Sequence, residues 1–188
     1  MVSAPRFGYA GSMDASIQLH PGQLYLILAP RSAGRKLANA FIARLSLAGE
    51  VRVLDGGNLF DFHTIARSVR RETYELKAAL ERICVARAFT CYQMVALLVQ
   101  TPTSQAPTLV LDLLSTFYDE NVPLLERLRL LEQSLAQLRR LSQPAPVVVS
   151  AAGSPADPSG ELLARLETEA DHVLRLEPPV LVVQERLF

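Results

Sequence analysis

The chain has no tryptophan, two cysteines and three histidines. Cys84 and Cys91 are too few for a disulfide framework or a closed zinc site, so both read as reduced thiols. His20, His63 and His172 are scattered, and none has metal-ligand spacing. Net charge is also lacking, because 19 acidic side chains balance 19 basic ones. A dedicated nucleic-acid binder usually carries a basic surplus, since phosphate contacts supply much of its affinity. Lysine is almost missing: Lys36 and Lys77 are the only two, and the other 17 basic residues are arginines. No apolar run reaches the roughly 18 residues of a membrane span. The stretch from Met1 to Gly11 lacks the apolar run of a signal peptide. These absences predict a cytoplasmic chain with no membrane partner.

What is present is a core. Apolar residues make up 49% of 188 positions, enough to bury one domain's interior. Residues 1–20 read as an N-terminal segment and 21–188 as the core domain. Gln23 to Leu28, Val51 to Leu54, Arg82 to Val85, Thr108 to Leu113 and Pro146 to Ser150 read as strands. Helical patterns lie between them. The longest runs from Asn121 to Leu141, with Leu124, Leu125, Leu128, Leu131, Leu135 and Leu138 on its inner stripe. Asp61 is placed to cap a helix reaching about Arg70, and Glu161 to Glu167 reads as another helix. Residues 151–160 form a Pro/Gly/Ser loop. His172 to Leu176 and Val180 to Val183 read as a final antiparallel hairpin. Continuous apolar strands alternating with helices predict an α/β three-layer sandwich around a mostly parallel sheet. Such sheets place ligands at the carboxyl ends of their strands.

Two segments point to phosphate chemistry. Ala29 to Lys36 (APRSAGRK) lies between the first buried strand and a helix, where a P-loop NTPase carries G-x-x-x-x-G-K-[ST]. Gly34 matches the second glycine; Arg35 stands in the lysine position and Lys36 in that of the hydroxyl residue. Gly34, Arg35 and Lys36 are therefore the expected phosphate-binding residues. Leu109 to Asp112 has the form of a Walker B strand, whose acid organises magnesium.

Ile83 to Gln93 (ICVARAFTCYQ) resembles the strand and ARAFN-x-x-x-Q segment of the RadA-type recombinases, a branch of the RecA family. Leu109 to Tyr118 (LVLDLLSTFY) is similar to that family's Walker B segment, LIVDSATALY. Val53 to Phe60 (VLDGGNLF) is similar to its IDTEGTF. The resemblance spans residues 21–185 and implies a RecA-like P-loop NTPase core. It implies ATP and magnesium as ligands, with Asp112 holding the metal.

The departures matter as much. The family's water-activating acid falls at Gly57, leaving Asp61 or Asp55 as the substitutes. The sensor amide of its fifth strand has no counterpart in Val149-Ser150-Ala151-Ala152. Losing lysine, hydroxyl, acid and amide together should cost orders of magnitude in phosphoryl transfer. The expected function is a degenerate RecA/RadA-like domain acting through a protein partner or a homologous RecA-like subunit, in DNA recombination or repair. Two alternatives stand beside it: a divergent ATPase, and a DNA-binding module using a rim of Arg31, Arg35, Lys36, Arg67, Arg70 and Arg71. Phe7-Gly8-Tyr9-Ala10 has the F-x-x-A form with which these recombinases dock on a neighbour.

Overall fold

The computed structural model describes residues 6–9 and 13–176, with side chains from Gln18 onward. Two short strands, β1 (Arg6–Tyr9) and β2 (Met13–Gln18), pair antiparallel. The sequence pattern predicts no elements in this segment. The first strand of the main sheet is β3 (Leu24–Leu28), followed by α1 (Arg31–Ala48) and β4 (Val51–Asp55). Next come α2 (Phe62–Glu72), α3 (Leu76–Glu81), β5 (Ile83–Arg87) and α4 (Cys91–Gln100). The chain ends its described part with β6 (Thr108–Leu111), α5 (Leu124–Ser142), β7 (Val147–Ala151), α6 (Glu161–Glu169) and β8 (His172–Arg175).

Six strands form one sheet in the order β5-β4-β6-β7-β3-β8, and every pairing is parallel. The period of two in a strand explains how both faces are filled. Leu24, Leu26 and Leu28 of β3 join one core cluster, and Tyr25 and Ile27 join the other. Helices α1, α2 and α3 pack together on one face, and α4, α5 and α6 on the opposite one. This is the helix–sheet–helix layering that the apolar runs predict.

Three sequence expectations change. The described half of the expected C-terminal hairpin, His172–Arg175, runs parallel to β3; the other half, residues 180–183, lies outside the described residues. The strand expected over Thr108 to Leu113 stops at Leu111. Asp112 then takes a left-handed backbone (φ 49°, ψ 55°), and Leu113–Phe117 form a buried 3-10 turn. The remaining apolar residues of that run fill the core from a turn, which periodicity cannot separate from a strand end. The third change, at Arg31, concerns the site.

The strand order places the site. All six strands run the same way, but neighbours send their connections to opposite faces: β3 sends α1 to one face while its neighbour β7 sends α6 to the other. The pair β4 and β6 diverge in the same way. Adjacent strands whose connections part leave a crevice beyond their carboxyl ends.

Candidate functional site

A cleft of about 550 Å³ opens at the carboxyl ends of β3, β6, β7 and β8. Ala29, Pro30 and Arg31 form one side, Asp112 and Tyr118 another, and Arg175 stands at the β8 end. Each wall follows from a local sequence signal. Pro30 occupies the N-cap of α1 with φ −54°, and the helix starts at the next residue. Asp is among the few residue types that tolerate the left-handed turn found at 112. Pairing of Leu28 with Arg175 brings the last residue of β8 beside the exit of β3.

Only Ala29 and Pro30 separate β3 from α1. A phosphate cradle needs a loop whose amides point inward. Here Gly34 sits inside the first turns of α1, is buried, and its N–H donates to the Pro30 carbonyl at 2.8 Å. Arg35 is exposed, and its guanidinium donates to the Asn58 carbonyl at 2.9 Å. Lys36 is exposed on α1. The segment read as a P-loop is therefore a short turn and a helix. The proline is the signal for this, since it favours the first positions of a helix and cannot lend an amide to a cradle.

Asp112 lies at the floor of the cleft, 4% exposed. Its N–H donates to the Ser150 hydroxyl at 2.9 Å. Burial pushes its carboxyl above the usual carboxylate range, while the Arg31 guanidinium, with Nη1 4.0 Å from Oδ2, and the Ala152 N–H pull it back down. Arg31 also donates to the Gly57 carbonyl. One arginine thus ties the exit of β3 to the turns after β4 and β6. The Tyr118 hydroxyl donates to the Ala152 carbonyl at 2.8 Å, and burial raises its pKa. At the other end, Arg175 pairs with Glu167 at 2.7 Å.

Gly57 has a structural reason for carrying no acid. A Cβ there would lie 2.6 Å from Asp112 Oδ2 and closer still to Asp112 Cβ. The Gly56 and Gly57 amides both donate to the Leu111 carbonyl, at 2.9 and 3.1 Å. The two turns are packed backbone to backbone, which leaves no room for a side chain between them.

The substitute acids are occupied. Asp55 is buried, accepts the amides of Leu59 (2.9 Å) and Phe60 (3.1 Å), and faces Arg87 Nε at 3.3 Å. It holds the turn that follows β4. Asp61 caps α2, accepting from the Thr64 amide at 3.1 Å and the Thr64 hydroxyl at 2.8 Å. Those bonds hold its carboxyl below the usual range. The cleft brings Asp112 and Arg31 together, and it does not include Gly34, Arg35, Lys36, Asp55 or Asp61.

These residues do not fit a magnesium–nucleotide. The cation beside Asp112 is Arg31, and Gly34 spends its amide inside the helix. Among the described residues, no group of three or more His, Cys, Asp or Glu could hold a metal ion. No helix of the described residues is long and apolar enough to cross a membrane. No protein-family model matches the chain, and no curated protein matches it.

The Ala86-Arg87-Ala88-Phe89…Gln93 segment has a clear local role. Arg87 pairs with Asp55, and the Ala88 amide donates to the Asp55 carbonyl at 3.1 Å. Thr90 caps α4 by accepting from the Gln93 amide at 3.2 Å, while the Gln93 side chain accepts from the Phe89 amide at 2.9 Å. Its aromatic ring is left outside: Phe89 is 72% exposed.

Proposed function

We propose that this chain is a degenerate RecA/RadA-like domain without efficient ATP hydrolysis, serving as an accessory or regulatory protein-interaction module in DNA recombination or repair. The observation that carries the reading is the start of α1 at Arg31, which folds the would-be phosphate loop into a helix and sets Arg31 against Asp112. Phosphoryl transfer depends on positioning and on charge placed around the phosphates. Here the acid faces a half-exposed arginine of its own chain at 4.0 Å, and position 57 is closed to a second carboxylate. The process rests on the resemblance of the ARAF, Walker B and IDTEGTF-like segments.

Protein contact is supported by the β5 side of the sheet. Among the described residues β5 pairs only with β4, so its other edge carries unpaired backbone groups. Cys84 and Val85 on β5, and Phe89 and Tyr92 beside it, are all exposed. An extended segment of a partner can add to such an edge through main-chain hydrogen bonds, with apolar side chains giving selectivity.

Calorimetric titration of the full chain with ATP and ADP, with and without magnesium, tests the first half. The expected result is no binding heat at millimolar nucleotide. Micromolar, magnesium-dependent binding that Asp112→Asn abolishes would replace this reading with a divergent ATPase using Arg35 or Lys36 for phosphate. The second half is tested by hydrogen exchange of the Ile83–Arg87 amides on mixing with a RecA-like recombinase core. Protection of those amides supports the edge contact, and a bound partner that leaves them unprotected moves the interface elsewhere.

A further inference from the structure

The cleft at the carboxyl ends of the strands holds a buried carboxylate that the chain does not satisfy. Asp112 lines its floor and is 4% exposed. An ionised carboxylate offers about four acceptor positions. The Ala152 N–H meets it from one side. Arg31 Nη1 stands 4.0 Å from Oδ2, an ion-pair distance but too long for a hydrogen bond. Among the described residues no other cation pairs with this acid. A buried charge short of donors is costly, and the open side of this one is the cleft.

The opposite charge stands beside it. Pro30 is the N-cap of α1, and no side chain caps the helix. The first amides of this 18-residue helix therefore lack a side-chain acceptor, and they carry the positive end of its dipole. Arg31 adds a full charge there, and both Pro30 and Arg31 line the cleft. The two poles come from different places in the chain. Arg31 follows β3 and Asp112 follows β6, with β7 between those strands in the sheet.

Each pole turns away one class of ligand. A phosphate or a simple carboxylate at the start of α1 would set a second anion against Asp112. A simple amine at Asp112 would meet Arg31 and the helix dipole. A molecule that carries both charges satisfies both poles. Because the protein charges are 4.0 Å apart, the ligand's charges must also be neighbours. The ammonium and carboxylate of a free α-amino acid share one carbon, whereas the two ends of a peptide do not. Laid antiparallel to the Asp112–Arg31 pair, such a zwitterion alternates the four charges. The side chain then meets hydrocarbon, since Leu28, Ala151 and Leu163 line the same cleft. Arg175 at the far end is already answered by Glu167 at 2.7 Å, so it does not call for an acidic side chain.

We infer that the cleft binds a free α-amino acid with an apolar side chain, its ammonium on Asp112 and its carboxylate on Arg31 and the first amides of α1. This rests on the proposed reading in one respect, a cleft free of nucleotide, and goes beyond it by giving that cleft a ligand of its own.

Calorimetric titration of the full chain with L-leucine tests this, with L-leucinamide, 4-methylpentanoate and L-aspartate as controls. The amide lacks the carboxylate, the acid lacks the ammonium, and aspartate replaces the hydrocarbon by a charge. Leucine should bind in the micromolar range, and each control should bind at least about ten-fold more weakly, as loss of one charged contact or burial of an unpaired charge predicts. Asp112→Asn and Arg31→Ala should each weaken leucine binding by about ten-fold or more. Urea midpoints report that both variants are folded. The inference is overturned if leucine gives no heat at about 1 mM, a range that a specific site should exceed. It is equally overturned if a control binds as tightly as leucine, or if either variant binds as the parent does. Repeating the leucine titration with magnesium–ATP present separates the two claims. Unchanged affinity is expected. Leucine binding that ATP displaces would overturn the nucleotide-free reading and leave the amino-acid site standing.

Discussion

The two faces of the sheet handle charge in opposite ways. On the α5–α6 side the arginines are answered by acids: Arg129 by Glu126, Arg165 by Glu132 and Glu161, Arg139 by Glu169 and Asp171, and Arg175 by Glu167. On the α1–α2 side Lys36, Arg44, Arg67, Arg70 and Arg71 have no such partners among the described residues. Both faces cover comparable apolar cores, with Leu131 and Leu138 fully buried on one and Ile42 and Ile65 on the other. Packing therefore does not distinguish them. One face balances its arginines with its own acids, and the other leaves several cations unpaired among the described residues.

The largest expected effect tests the equality of the cores. Leu131→Ala and Ile42→Ala should each lower stability by about 2–5 kcal/mol, measured by urea unfolding. A much smaller loss on the α1 side would mean that its core is loosely packed and that the faces differ in more than charge.

Gly57→Ala comes next. The new Cβ would press on Asp112 in a turn held by backbone bonds, so a loss of about 1–3 kcal/mol is expected. An unchanged urea midpoint would show that the turn after β6 yields.

Two acids sharpen the comparison through pH. Burial raises the Asp112 carboxyl, so the unfolded chain gives up this proton first as pH rises. Its ionised form therefore weakens folding above the ordinary carboxylate pKa of about 3.9. Asp112→Asn should be more stable than the parent at pH 7 and lose that advantage near pH 3. Asp171 behaves oppositely. A side-chain hydrogen bond from Arg139 lowers its pKa, and the Leu24 amide adds to this. The stability it contributes is present above the ordinary pKa and is lost as pH falls through the lowered one. Asp171→Asn should cost about 1 kcal/mol at neutral pH and little in acid. Urea midpoints of the three proteins across this range would show both signs.

The smallest effect separates the surfaces directly. Arg71→Ala should change stability by less than about 0.5 kcal/mol, because no internal partner is lost. Arg139→Ala removes bonds to Asp171 and to the Glu169 carbonyl and should cost more. Equal thermal midpoints would erase the contrast between the faces.

Much of the frame was legible in the residues. Leu24 to Leu28 and Val147 to Ser150 are apolar runs too short for helices, and both are buried strands. The leucine stripe of 124–138 describes a real helix, although Leu124 and Leu125 lie outside at its exposed first turn. Asp61 could be recognised as a cap from its position before a periodic segment. The site was less legible because its defining contacts are long-range. Arg31 meets Asp112 across 81 positions, and no local pattern encodes that. Asp112 also read as a strand end, since the left-handed turn leaves no trace in hydrophobic spacing. Beyond Leu176 the expected hairpin and its terminal segment fall outside the described residues.

The contact between Gly57 and Asp112 also constrains how this chain can change. Restoring an acid at position 57 alone would collide with the residue that should act beside it. Moving Asp112 alone would open a gap against a turn that has no side chain to fill it. The two positions form an epistatic lock: each substitution is costly unless the other has already happened. A directed search for ATP turnover in this scaffold should therefore begin from libraries that vary both sites together.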